Sequence, residues 1–202
     1  MSLALINGRV LTDAGFEEGR VVVLAAGRIE AILGHDQWQA ERTRRASGTD
    51  KQSVYDLKGQ RLVPGFIDTQ VNGGGGVLFN DDPSVDSIVE IGRAHRRYGT
   101  TGFLPTLISD DLDVVLQAVR AVQTAMEIGV PGVLGIHIEG PYLNEERKGV
   151  HDETKIRTLD DQAIRLLTSL KNARTLVTLA PRASRARRSS SFGLPYSCTA
   201  MR

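Results

Sequence analysis

The chain has 202 residues, 41% of them hydrophobic and 24% charged, with a formal net charge of +1. Enough apolar material is present to bury a core, which excludes disorder throughout. No apolar run approaches the ~18–20 residues of a membrane span, and the start, MSLALINGRV, turns polar too soon for a signal peptide. A single cysteine excludes a disulfide framework and fits a reducing, cytoplasmic setting. The near-neutral balance gives no electrostatic case for nucleic acid, and no membrane partner is expected.

Residues 3–11 run Leu3, Leu5, Ile6, then Asn7-Gly8, then Arg9-Val10-Leu11. An Asn-Gly pair between apolar runs predicts a hairpin. Val21 to Leu24 and Ile29 to Leu33 flank Ala25-Ala26-Gly27-Arg28, a second hairpin. Residues 35–53 are polar and aperiodic and read as a loop, with a helix the alternative. Lys58-Gly59 marks a third turn. Residues 1–61 are therefore expected to form a small β module.

Strand–helix alternation follows. Leu62 to Val71 reads as a buried strand. Asp82-Pro83 opens a helix, with Pro at its first position and Val85, Ile88, Val89 and Gly92 facing inward. Thr101 to Leu107 is the next strand. Ser109-Asp110 precedes a helix with an apolar stripe of Leu112, Val115, Leu116, Val119 and Met126, closed by Gly129 and Pro131. Val133 to Ile138 is the third strand. Thr158 to Asp161 resembles a capping box for a helix carrying Ile164, Leu167 and Leu170. Leu176 to Leu179 is the fourth strand. Four such strands imply a parallel sheet with right-handed crossovers. A closed (β/α)8 barrel needs eight strands and roughly 250 residues, so the sheet is either a short open one or part of a barrel.

Three segments at strand C-terminal ends, where α/β proteins bind ligands, could carry chemistry. Asp68, Gln70 and Asn72 alternate along one strand and point to one side. They either meet a ligand or form a hydrogen-bonded polar plug. The run Gly73 to Gly76 lacks a phosphate-loop spacing and reads as a flexible loop. His137 and Glu139 lie two apart on one face, and Gly140-Pro141 breaks the strand directly after them. The pair suits either a divalent metal or a buried ion pair, although zinc requires at least three protein ligands. The polar loop from Asn144 to His151 brings a histidine close to Glu139, where it either touches a ligand or is solvated. His35 and His95 receive no role.

Taken together, these segments resemble one family. Pro64-Gly65-Phe66-Ile67-Asp68-Thr69-Gln70-Val71-Asn72-Gly73 resembles the first-strand motif of the amidohydrolase superfamily, in which a PGxIDxHxH pattern supplies two metal-binding histidines. Gln70 and Asn72 stand in those two places. That replacement is similar to the N-acetylglucosamine-6-phosphate deacetylase family. His137-Ile138-Glu139-Gly140-Pro141-Tyr142 with Lys148-Gly149-Val150-His151 resembles its HxEGPF/Y…KKGAH segment. Tyr98-Gly99-Thr100-Thr101 through Pro105-Thr106 resembles its YGTT…PT segment.

The resemblance covers about residue 3 to Pro181 and implies a partial (β/α)8 TIM-like barrel of about four βα units, residues 62–181, after the N-terminal part of a β-sandwich. It implies metal-dependent deacetylation of N-acetylglucosamine 6-phosphate to glucosamine 6-phosphate and acetate. One divalent metal, zinc or iron, is implied, with Glu139 as a ligand. Gln70 would occupy the place of a second metal's anchor, and Asn72 the companion position. His151 would contact the sugar or amide, and His137 would be support. Family members are expected to be homodimers. The remaining family ligands and the catalytic aspartate have no counterpart in residues 1–202. Other amidohydrolases acting on cyclic amides usually keep the first-strand histidines. A non-catalytic half-barrel or binding module is the further alternative.

Residues 182–202 differ from the rest. They hold five arginines, five serines, the only cysteine (Cys198) and no acid, so the segment carries +5 and leaves −4 for the remainder. It is expected to be disordered, out-of-frame or otherwise aberrant sequence joined to a genuine N-terminal half. That half is expected to be inactive alone.

Overall fold

The computed structural model describes residues 2–45 and 52–180. The tail expected to be aberrant therefore lies outside the described residues. Two compact units divide the chain, Met1–Pro64 and Gly65–Arg202. Among the described residues, no helix is long and apolar enough to cross a membrane.

The first unit contains β1 (Ser2–Ile6), β2 (Arg9–Thr12), β3 (Gly15–Glu17), β4 (Arg20–Ala25), β5 (Arg28–Gly34), α1 (His35–Arg45), β6 (Gln52–Asp56) and β7 (Arg61–Leu62). They form two sheets, ordered β5-β4-β1-β6 and β3-β2-β7. β4 and β5 make the second expected hairpin. Ala26 and Gly27 both take positive φ, 49° and 74°, as a tight two-residue hairpin turn demands.

The Asn7-Gly8 hairpin does not form. β1 pairs with β4 and β6, while β2 pairs with β3 and β7. Asn7-Gly8 instead carries the chain from one sheet to the other. Leu57 to Gln60 crosses alongside it, with Leu57 N donating to Ile6 O at 2.8 Å and Gly59 N to Asn7 O at 2.7 Å. Glycine is needed at position 8 because a Cβ there would sit 2.4 Å from Leu57 Cδ1. A turn signal fixes local geometry, but the partner of each strand is decided by burial.

Residues 35–45, read as loop, are helical. Their single large apolar side chain, Trp38, is 2% exposed and packs with Ala4, Val21 and Val23. One anchor leaves no periodic stripe to read. The Trp38 indole N–H donates to Gln52 Oε1 at 3.0 Å, so the polar edge of the ring is satisfied as it is buried.

The second unit contains β8 (Phe66–Val71), β9 (Gly73–Gly74), β10 (Val77–Leu78), α2 (Val85–Arg96), β11 (Thr100–Ile108), α3 (Leu112–Glu127), β12 (Gly135–Glu139), α4 (Asp161–Leu167) and β13 (Arg174–Thr178). The expected strand from Leu62 to Val71 is interrupted. Leu62 pairs in the first unit, and Pro64, which lacks an N–H donor, precedes the start of β8. The four long strands form one parallel sheet ordered β13-β12-β11-β8. Chain order and sheet order coincide.

Several helix details differ from expectation. α2 is capped by Ser84, whose side chain accepts from Ser87 N. Pro83 lies just before that cap. Asp82 accepts from both serine hydroxyls at 2.7 Å, and these bonds hold its carboxyl below the usual range. The inner face of α2 is Ser87, Ile88, Ile91 and Gly92, whereas Val89 is exposed. Gly92 lets the helix approach Phe103, to whose ring a Cβ would come within 2.9 Å. In α3, Ala118, Ala121 and Ala125 join Val115, Val119 and Val122 on the buried face. In α4 the cap is Asp160, which accepts from Ala163 N at 2.8 Å, and not Thr158.

The sheet's two faces have opposite chemistry. Val71, Phe103, Leu107, Ile136, Ile138 and Val177 pack into the helix-side core. The alternate positions, among them Gln70, Thr106, His137, Glu139 and Thr178, carry the polar groups. Replacing Trp38 with Ala should cost the protein about 3–5 kcal/mol, read as a lowered urea midpoint with tryptophan-independent detection by circular dichroism.

Candidate active site

The C-terminal edge of the parallel sheet collects the polar residues. Register pairs Thr106 with His137 and Ile108 with Glu139 on one side, and Glu139 with Thr178 on the other. Glu139 is therefore the last residue of a central strand, with flanking strands ending beside it.

The chain breaks at Gly140, whose φ of 87° lies in the left-handed region. A Cβ there would fall 2.1 Å from Ser109 Oγ. Both constraints require glycine. The break leaves the Glu139 side chain 22% exposed at the mouth. Its Oε2 accepts from Gln70 Nε2 at 2.8 Å, a bond that spans β11, the strand between them. Its Oε1 lies 3.7 Å from His151 Nε2.

His151 arrives from the loop after β12 and is only 6% exposed. Its Nδ1 lies 2.8 Å from Ser109 Oγ and accepts from Ser109 N at 3.3 Å. Lys148 Nζ donates to the His151 carbonyl at 3.4 Å. The solvated-surface reading of this histidine is thus excluded.

His137 is 3% exposed, with Nδ1 3.3 Å from Thr106 Oγ1 and Nε2 2.9 Å from Thr178 Oγ1. It links three neighbouring strands. Thr106 Oγ1 also accepts from Val71 N at 2.9 Å, which extends the network to β8. Burial pulls the His137 imidazole below the usual histidine range, against the opposing effect of the Glu139 charge. Glu139 and His137 share a face, but Glu139's carboxylate pairs with Gln70 and not with His137.

The alternating trio separates by role, with Asn72 just past the end of β8. Gln70 reaches Glu139. Asp68 accepts from the Gln70 main-chain N–H at 3.1 Å. Asn72 accepts from Phe79 N at 2.8 Å through its main-chain carbonyl, not its side chain. The glycine run, read as a flexible loop, is an ordered two-strand hairpin, with Gly74 paired to Val77 and Gly73 to Leu78. Gly74 packs against His95, and His95 Nε2 lies 2.9 Å from Gly73 O. His95, given no role from the sequence, braces this hairpin.

Other residues carry the edge without having been singled out. Asn80 mimics a strand edge, accepting from Ile108 N at 2.9 Å and donating to Ile108 O at 3.3 Å. Its amide also donates to Asp110 at 3.1 Å. Lys155 lies 3.7 Å from Asp110 and bonds Asp111, which holds its ammonium above the usual lysine range. Ser109 and Asp110 were legible only as a helix start. Thr178 was legible only as part of a strand.

Among the described residues, no group of three or more His, Cys, Asp or Glu side chains is placed to hold a metal. Glu139 supplies a carboxylate at an open mouth, and His151 is the nearest imidazole. A structural or catalytic zinc takes three or four protein ligands. The donor set fits a divalent cation in kind and falls short of it in number.

The sequence pattern of the amidohydrolase family matches residues 61–187. N-acetylgalactosamine-6-phosphate deacetylase of Shewanella sp. (strain ANA-3) is 37% identical over 175 residues, covering 87% of this chain and 42% of that protein. N-acetylglucosamine-6-phosphate deacetylase of Haemophilus influenzae is 34% identical over 180 residues, covering 89% and 45%. The crystal structure of N-acetylglucosamine-6-phosphate deacetylase from Pasteurella multocida superposes with a TM-score of 0.77 at 32% identity, covering 89% of this chain and 45% of that one. The chain thus spans less than half the length of these relatives.

The buried threonine–histidine link makes a stability prediction. His137→Ala should destabilise the protein by about 1–3 kcal/mol, since buried Thr106 and partly buried Thr178 each lose a partner. Urea unfolding measures this. An unchanged midpoint would show that the link contributes nothing.

Proposed function

The chain belongs to the amidohydrolase family, and from that membership we propose that it is the N-terminal portion of a metal-dependent deacetylase of N-acetylglucosamine 6-phosphate, acting in the cytoplasm. The products are glucosamine 6-phosphate and acetate. The observation that carries this reading is Glu139, whose carboxylate stands at the C-terminal end of β12 between Gln70 and His151.

In this reading residues 62–181 are the first four βα units of a (β/α)8 barrel, after the N-terminal part of a β-sandwich at 1–61. The in-order parallel sheet supports it. Glu139 is a ligand of a single divalent ion, zinc or iron, and the other ligands and the catalytic aspartate come from the part of the relatives that this chain does not span. The ion, when bound, polarises the acetamide carbonyl and lowers the pKa of water.

The chain's own residues position and exclude. Gln70 donates to one carboxylate oxygen and presents an amide where a second ion would need an anionic or imidazole ligand, which favours a mononuclear site. His151 contacts the sugar or the amide. Asn72 and His137 support the edge, His137 from beneath through its two threonines. The whole enzyme works as a homodimer on a small amino-sugar phosphate. The galacto epimer is the second substrate, favoured by the Shewanella relative.

The 202-residue chain alone should release no acetate from either sugar phosphate. Joined to the C-terminal portion of the Haemophilus influenzae relative, it should do so, and chelation should abolish the activity. Glu139→Gln in that fusion should lower turnover by about 100-fold or more, at or beyond the upper end of the effect of losing an outer-shell partner. Chelator-resistant turnover, or full activity in Glu139→Gln, would sink the metal reading. Turnover by the isolated chain would sink the claim that its site is incomplete.

A further inference from the structure

The two ring nitrogens of His151 face different chemistry. Nδ1 receives the main-chain N–H of Ser109 at 3.3 Å. A peptide N–H can only donate, so Nδ1 must offer a lone pair. A neutral imidazole then carries its proton on Nε2. The Ser109 hydroxyl lies 2.8 Å from the same nitrogen and, being able to donate or accept, is free to donate to it.

The opposite end of the ring has matching polarity. Nε2 faces Glu139 Oε1 at 3.7 Å, a donor turned toward an acceptor. His137 differs in this respect. Each of its nitrogens faces a threonine hydroxyl, which can donate or accept, so its partners do not select a tautomer.

Ser109 is itself held in place. It follows β11, and the Ile108–Glu139 register brings it beside Gly140. A Cβ on Gly140 would fall 2.1 Å from Ser109 Oγ, so the hydroxyl occupies the space that the missing side chain leaves.

We propose that Ser109 is a positioning residue that fixes His151 as the Nε2–H tautomer, so that His151 meets the mouth of the sheet as a hydrogen-bond donor and not as a cation ligand. The ring then takes an acceptor oxygen, from Glu139 or from a bound molecule. Only the identity of that molecule rests on the deacetylase reading.

The test is a long-range proton–nitrogen correlation spectrum of the 15N-labelled full chain at neutral pH. His151→Gln assigns the ring, and the His137 signals report the fold. Wild type should show a protonated Nε2 and a bare Nδ1, and added zinc should leave the Nε2–H correlation in place. Ser109→Ala should lower the ratio of Nε2–H to Nδ1–H about three- to tenfold, the effect of losing one hydrogen bond. Ser109→Thr, which keeps the hydroxyl, should restore it. A protonated Nδ1 in wild type or loss of the Nε2 proton on adding zinc would each overturn the proposal, and an unmoved ratio in Ser109→Ala with native His137 signals would overturn the hydroxyl's share in it, because that variant keeps the main-chain N–H of residue 109. If Ser109→Ala perturbs the His137 signals, the wild-type and Ser109→Thr spectra decide. The spectra need no substrate. A wrong tautomer therefore leaves the deacetylase reading standing, and absent acetate release leaves the tautomer untouched.

Discussion

A carboxylate at the end of a buried strand must be met by hydrogen-bond donors, and Glu139 is met by Gln70 while its other oxygen faces His151. Each donor imposes its own requirement. Gln70 has to reach across β11. His151 has to be brought back by a loop and held there, which Ser109 does through its main chain and its hydroxyl. Ser109 in turn has room only because residue 140 is glycine. One charge at the sheet edge therefore constrains residues from three strand ends and a loop.

The layer beneath is neutral and closed. Thr106, His137 and Thr178 satisfy one another across three strands, and Thr106 also holds the main chain of β8. Small hydroxyls around an imidazole let polar atoms occupy the sheet's inner face without leaving a donor unpaired. The neutral layer keeps the neighbouring strands at fixed spacing below the charged one.

Much of this was legible in the sequence, and the losses have identifiable causes. Gly140-Pro141 announced the strand break, and the alternation of His137 and Glu139 announced their shared face. Ala26-Gly27 announced its hairpin. Asn7-Gly8 misled because the same turn geometry also serves a step between sheets. α1 was missed because Trp38 is its only large apolar anchor. The buried face of α3 was partly missed because alanine is uninformative in a hydrophobic pattern yet decides how closely a helix packs. Ser109 was invisible as a site residue. Its role comes from proximity to Gly140 and His151, which are distant in sequence.

The coincidence of sheet order and chain order bears on how the protein forms during synthesis. Each long strand pairs with the one made just before it, separated by a single crossover. Such pairings close modest loops and are kinetically accessible as the chain emerges. None of these four strands has to wait for a distant partner, and each newly made strand presents the edge for the next. The Glu139 edge is therefore assembled progressively. Gln70 comes first and Ser109 second. Glu139 follows with β12, and His151 closes over it last.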